Sequence, residues 1–171
     1  MNILVLNGSP RKSGNTQFLV KGFKEGAESK KHKVEVIDVG SMKIAPCMAC
    51  EYCHGKGKGK CCQKDDMQKL YKKLETADMI VFATAIYYWN FTGQMQNLIT
   101  RMYYKGVMPC KKYALIMSSG STGVYKGITQ IYKDILDYFG AKDMGIKKFN
   151  GMQQQTDNNY KAMVKFGASI K

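Results

Sequence analysis

The sequence predicts an α/β sandwich: a five-stranded parallel sheet with helices on both faces. Three observations predict it. The apolar runs Ile3–Leu6, Met79–Ala83 and Tyr113–Met117 are continuous rather than alternating, as strands buried on both faces are. Stretches with helical spacing of apolar residues separate them. Strand and helix patterns then alternate along the chain, as in βαβ units.

The first strand, Ile3-Leu4-Val5-Leu6, breaks into a loop of Asn, Gly, Ser, Pro, Arg, Lys, Ser, Gly and Asn. Residues 16–30 read as a helix, with Phe18, Leu19, Phe23 and Ala27 on one face and Lys21, Lys24, Glu25 and Glu28 on the other. Lys33–Val39 is the second strand, with Val34, Val36 and Ile37 as its inward candidates. The pattern stops between residues 40 and 62, an insert with five of the six cysteines and the alternation GKGKGK. Asp65 and Asp66 then open a helix with carboxylates at its positive end. Its stripe is Met67, Leu70, Tyr71 and Leu74.

Met79–Ala83 is the third strand, and Thr84–Asn90 an aromatic loop. Met95, Leu98, Ile99, Met102 and Tyr103 mark the next helix. Tyr113–Met117 is the fourth strand, followed by Ser118-Ser119-Gly120-Ser121-Thr122-Gly123. A helix carrying Ile128, Ile131, Ile135, Leu136 and Phe139 ends at Gly140, a favoured C-terminal stop. Met144–Phe149 is a short last strand, and residues 158–169 a terminal helix.

The 171 residues suffice for one domain with a substantial core, spanning 1–171 with the Cys-rich insert at about 40–62. Five strands suit the flavodoxin-like order 2-1-3-4-5, a three-layer sandwich. No apolar run approaches the ~20 residues of a membrane span. No charged n-region precedes the first apolar run, so neither a membrane nor a secretory route is expected. Six cysteines without a leader suggest a reducing, cytoplasmic setting. The net charge of +14 invites nucleic acid, but the 27 basic residues are scattered and no recognition motif frames them. They read as solvated helix faces and an electropositive field around an anionic ligand, so no nucleic acid is expected.

In such sheets ligands sit beyond the carboxyl ends of the strands, where three loops converge: residues 7–15, 84–92 and 118–123. The first joins a strand to a helix start and reads as an anion site. Ser9, Ser13, Asn15 and Thr16 offer donors there, and Arg11 can grip a phosphate with two hydrogen bonds. The loop carries neither GxxxxGK[ST] nor GxGxxG, which argues against nucleoside triphosphates and dinucleotides. The second loop offers flat surfaces in Tyr87, Tyr88, Trp89 and Phe91, with Tyr87 and Phe91 also candidates for core packing. The third offers amides and hydroxyls. One phosphate plus one planar heterocycle describes a mononucleotide such as FMN.

Cys47-x2-Cys50-x2-Cys53, followed by Cys61, can converge on one centre. Four thiolates suit a [4Fe-4S] cluster. Three other readings stand beside it: zinc, although structural zinc favours separated Cys pairs; thiols without metal; or a disulfide or redox-active pair. Cys62 competes with Cys61 as fourth ligand. His54 reads as a solvated loop residue, and Cys110 as structural.

GSPRKSGNT resembles the phosphate loop of the NADPH-dependent FMN reductase and multimeric flavodoxin-like family. TAIYYWNFTGQMQNLITR resembles its flavin-ring loop and following helix. The likeness runs over most of residues 1–140. The cysteine spacing, with Pro46 and HGKGKGK, resembles the iron–sulfur flavoprotein branch. The resemblance implies that Ser9, Arg11, Ser13, Asn15 and Thr16 hold the FMN phosphate. It places Ala85, Ile86, Tyr87, Tyr88, Trp89 and Asn90 beside the ring, and Ser119 and Gly120 at its far edge. Two positions depart: Ala85 stands where the family often has Pro. Thr100 stands where it often has Asp beside Arg101, which predicts a missing local ion pair.

The expected function is an FMN-dependent oxidoreductase with NAD(P)H as co-substrate. Electrons would pass to a quinone, a free flavin or, through a [4Fe-4S] cluster, a ferredoxin-like protein. No Ser/His/Asp set or paired carboxylates point to a catalytic acid or base. The resemblance implies a homodimer or homotetramer, because a ring lying on one loop is usually shielded by a neighbour. The other readings are an electron carrier without turnover and a zinc-binding module.

Overall fold

A computed structural model describes residues 1–105 and 110–171. Pro109, which the sequence reading set before Cys110, lies outside the described residues. The chain runs β1 (Asn2–Asn7), α1 (Asn15–Ser29), β2 (Lys33–Ile37), α2 (Tyr71–Thr76), β3 (Met79–Ala85), α3 (Gly93–Arg101), β4 (Lys112–Ser119), α4 (Lys126–Phe139), β5 (Lys142–Asn150) and α5 (Asp157–Ala168). The sheet order is β2-β1-β3-β4-β5, parallel throughout. This is the expected flavodoxin-like α/β sandwich.

Alternation along the central strands splits the core in two. Leu4, Leu6, Ile80, Phe82 and Leu115 face α2, α3 and α4 through Leu74, Leu98 and Leu136. Ile3, Val5, Val81 and Ile116 face α1 and α5 through Leu19, Phe23, Met163 and Phe166. Burying each such side chain stabilises the fold by roughly 1.5–3 kcal/mol before entropy is counted. α1 and α5 pack at backbone distance: a Cβ on Gly26 would lie 1.9 Å from the Val164 carbonyl oxygen.

The helix expected from Asp65 is broken. Asp66–Lys69 forms a 3₁₀ turn, and the α-helix begins only at Tyr71. The cause is tertiary. Asp65 caps the turn by accepting from the Met67 amide, and also accepts from the Ala45 amide. Asp66 accepts from the Lys43 amide, while its own amide donates to the Lys43 carbonyl. Both carboxylates thus tie down the ends of the insert.

No helix among the described residues is long and apolar enough to cross a membrane.

Candidate functional site

Hydrogen bonds stitch the carboxyl ends of β1, β3 and β4 together. The Gly8 amide donates to the Ala83 carbonyl (2.8 Å), and Thr92 Oγ1 donates to the Gly8 carbonyl (2.7 Å). The Ile86 amide donates to the Ser118 carbonyl (3.0 Å). Gly8 has no room for a side chain, since a Cβ would meet Met95 Cβ at 2.8 Å. Buried Asn7 turns the loop: its Oδ1 accepts from the Ser9 amide and its Nδ2 donates to Asp38.

At the start of α1, Gly14 caps without a side-chain bond and no acidic residue occupies the first turn. The Phe18 amide is the first to reach back to the Gly14 carbonyl. The amides of Asn15, Thr16 and Gln17 therefore have no helical partner and carry the positive end of the helix field. Thr16 is buried and its Oγ1 lies 2.7 Å from Ser118 Oγ. In such a pair one hydroxyl donates to the other, which leaves one O–H free to donate elsewhere.

Ser9, Arg11, Gly14, Asn15 and Thr16 face Ala85, Ile86, Tyr87, Ser118, Ser119, Gly120 and Gln154 across a cleft of about 90 Å³. The structure thus brings together nine of the thirteen residues expected to bind the cofactor: Ser9, Arg11, Asn15, Thr16, Ala85, Ile86, Tyr87, Ser119 and Gly120. The cleft does not include Ser13, Tyr88, Trp89 or Asn90. The Ser13 carbonyl instead accepts from Gln155 Nε2. Asn90 closes a two-residue turn, exchanging main-chain bonds with Tyr87 at 3.2 and 3.1 Å. At its tip Tyr88 and Trp89 adopt φ of 47° and 60°, the left-handed region that disfavours side chains. They stand 95% and 62% exposed. Phe91 takes the core role open to it and packs on Phe82.

Gln154 was not foreseen. It lies in a fourth loop at a strand carboxyl end, after β5, and that position was its only signal. Nearly fully buried, it donates from Nε2 to the Ser119 and Gly151 carbonyls at 2.8 and 2.7 Å, fixing the third loop.

The insert anchors on a buried cation. Arg101 donates to Asp65, to the Ala45 carbonyl and to the Tyr71 hydroxyl. The ion pair thought lost at Thr100 is therefore made elsewhere, with Asp65; Thr100 Oγ1 accepts from the Cys47 amide instead. Burial pushes Asp65 upward, but the Arg101 bond and the Ala45 amide more than offset it, leaving the carboxyl below its usual range. Burial also pushes the Cys61 thiol up; the Gln63 amide, Tyr71 and Arg101 reverse the shift. Burial holds Cys53 above its ordinary value, with Cys61, Glu51 and Cys47 adding to the rise.

His54 is less free than expected. Its ring bonds Glu51 and the Tyr103 carbonyl, and both raise its pKa. Buried Cys110 donates to the Lys112 carbonyl, a structural role. Among the described residues no three His, Cys, Asp or Glu side chains are gathered closely enough to hold a metal ion. The insert's donor chemistry nonetheless fits thiolate-bound iron. Cys47, Cys50, Cys53, Cys61 and Cys62 are all free thiols, each exposed or only half-buried.

The family model for NADPH-dependent FMN reductase matches residues 1–155. An iron-sulfur flavoprotein from Archaeoglobus fulgidus is 41% identical over 101 residues, 59% of this chain and 48% of that one. Another from the same organism is 35% identical over 128 residues, covering 75% and 56%. The chain thus spans about half the length of the curated relatives it matches. Among solved structures, an NAD(P)H:quinone oxidoreductase from Methanothermobacter marburgensis superposes with a TM-score of 0.74 at 16% identity, covering 98% of this chain and 92% of that one. An FMN-dependent NADH-azoreductase from Bacillus anthracis in complex with FMN gives 0.71 at 15%, covering 98% of both chains. These structures share the fold; the family model goes further, and on its match the chain belongs to the NADPH-dependent FMN reductase family.

Proposed function

We propose that this protein is an FMN-dependent oxidoreductase that takes electrons from a reduced nicotinamide and delivers them to a quinone-like or flavin acceptor. FMN is the cofactor that the family membership supports. One observation carries the reading: Asn15 and Thr16, whose amides at the start of α1 have no helical partner, line with Arg11 a phosphate-sized cleft beside the aromatic turn.

Bound FMN would supply the electron and hydride chemistry. The residues supply binding and placement. The α1 amides, Ser9, Arg11 and the Thr16–Ser118 pair would hold the phosphate. Ala85, Ile86 and Tyr87 would border the ring on one side, and Ser119 and Gly120, steadied by Gln154, on the other. The strained turn presents Tyr88 and Trp89 outward, where a second copy of the chain would cover them. This supports a homodimer or a larger homo-oligomer.

We further propose that the insert holds a [4Fe-4S] cluster through Cys47, Cys50, Cys53 and Cys61, allowing single-electron exchange with a protein partner. Two features support this: the relatives named iron-sulfur flavoprotein, and the five thiols held by one loop. Arg101 beside Cys61 would offset thiolate charge.

The test is anaerobic NADPH oxidation by the FMN-loaded protein, with and without a quinone. Turnover that rises with quinone supports the oxidoreductase. Bound FMN that NADPH does not reduce points to an electron carrier instead.

A further inference from the structure

Cys50 and Cys62 lie with their sulfurs 3.8 Å apart, and both side chains are exposed. Among the described residues no other pair of thiols is hydrogen-bonded. Two local features accompany this contact. The residues flanking Cys50, Ala49 and Glu51, both have left-handed backbone, with φ of 51° and 52°. This constrains the direction in which Cys50 projects. Cys61 and Cys62 are neighbours in sequence with opposite surroundings: Cys61 is half-buried beside Tyr71 and Arg101, while Cys62 is exposed beside Cys50.

The chain between the two sulfurs is already closed. The Gly55 amide donates to the Glu51 carbonyl, Gly57 to Tyr52 and Gly59 to Cys53. Tyr52 lies over Gly57, where a Cβ would meet its ring at 2.7 Å. Part of the entropy of bringing residues 50 and 62 together is therefore met by these turns. A disulfide at ~2.05 Å needs the two sulfurs to approach by about 2 Å. Two exposed side chains can do this by rotation.

We propose that Cys50 and Cys62 are a disulfide-forming pair, oxidised by peroxide, and that Cys62 is the resolving thiol for Cys50. In the first step the Cys50 sulfur takes one oxygen from hydrogen peroxide, giving a sulfenic acid and one water. In the second the Cys62 sulfur attacks the Cys50 sulfur, forming the S–S bond and releasing the second water. The two thiols together lose two electrons and two protons, and both peroxide oxygens leave as water.

The pair also has a consequence for the cluster, which rests on the reading above. Cys50 can ligate iron or join Cys62, but not both at once. Cys62 is then the fifth, spare thiol, and Cys61 the fourth ligand. Oxidative loss of iron would be trapped by the disulfide, and a thiol reductant would return Cys50 to the iron site.

The experiment treats the full chain with hydrogen peroxide, blocks the remaining thiols by alkylation and maps cross-linked peptides by mass spectrometry, with iron measured on the same sample. The expected result is a Cys50–Cys62 peptide, lighter by two hydrogens and reopened by dithiothreitol. Cys62→Ser should lose it and leave Cys50 reactive to a sulfenic-acid probe, while Cys61→Ser should retain it. A Cys50–Cys61 or Cys50–Cys53 link overturns the proposal, as does iron release with all five insert thiols still free. Protein that never holds iron yet forms the Cys50–Cys62 link upholds the pair and removes the cluster reading.

Discussion

Arg101 donates to both carboxylate oxygens of Asp65, at 2.6 and 3.3 Å, with its own side chain wholly buried. Thirty-six positions apart in sequence, the two join the end of α3 to the exit of the cysteine insert. Removing one partner leaves an uncompensated buried charge. Asp65→Ala should therefore destabilise the fold by about 3–5 kcal/mol, read by urea unfolding. An effect below ~1 kcal/mol would mean that solvent reaches the guanidinium.

The same pair sets a pH dependence. Asp65 is held below its ordinary range, so the folded state binds its proton less readily than the unfolded state. The stability it contributes is present above the unfolded-state value of about 3.9 and is lost as pH falls through the lower folded value. Between neutral pH and pH 5 this contribution should stay flat. It should fall away in stronger acid, and that acid-limb loss should be smaller in Asp65→Asn, as read by midpoints of unfolding against pH.

At the cleft, Arg11→Ala combined with Thr16→Ala should weaken FMN binding by a few kcal/mol. A charge-assisted phosphate contact is lost, and so is the Thr16–Ser118 hydroxyl pair. Fluorescence titration reads this directly. Unchanged affinity would remove the phosphate from the start of α1.

The turn at Tyr88-Trp89 holds side chains where glycine is preferred. Trp89→Gly should raise the stability of the ligand-free chain by about 1 kcal/mol, because left-handed strain is relieved. It should also weaken self-association, which analytical ultracentrifugation would show. Lower stability in the variant would mean that the indole packs within the chain itself.

Cys50→Ser should abolish iron binding while leaving FMN in place, since the insert and the cleft are held by different bonds. Joint loss of both would show that the two sites are not separable.

The strands and their order were legible in the sequence, because unbroken apolar runs such as Met79–Ala83 have few alternatives to a buried parallel strand. That Ser9, Arg11, Asn15 and Thr16 share one cleft was legible because they lie within eight positions, between the end of β1 and the start of α1. What depends on distant partners was not. The helix expected from Asp65 breaks because Asp65 and Asp66 are committed to Arg101, Ala45 and Lys43, which periodicity does not record. Gln154 reaches Ser119 from thirty-five positions away, and no local pattern marks it. The family resemblance places Tyr88 and Trp89 beside the ring; here they stand outside the cleft's lining, on a turn whose left-handed backbone no sequence pattern marks.

The most direct measurement is the absorption spectrum of anaerobically purified protein, with iron, sulfide and zinc quantified on the same sample. Flavin bands are the predicted result, and a broad iron–sulfur shoulder with about four irons per chain would extend it to the cluster. A colourless protein that holds zinc and cannot take up FMN would contradict the account at its centre.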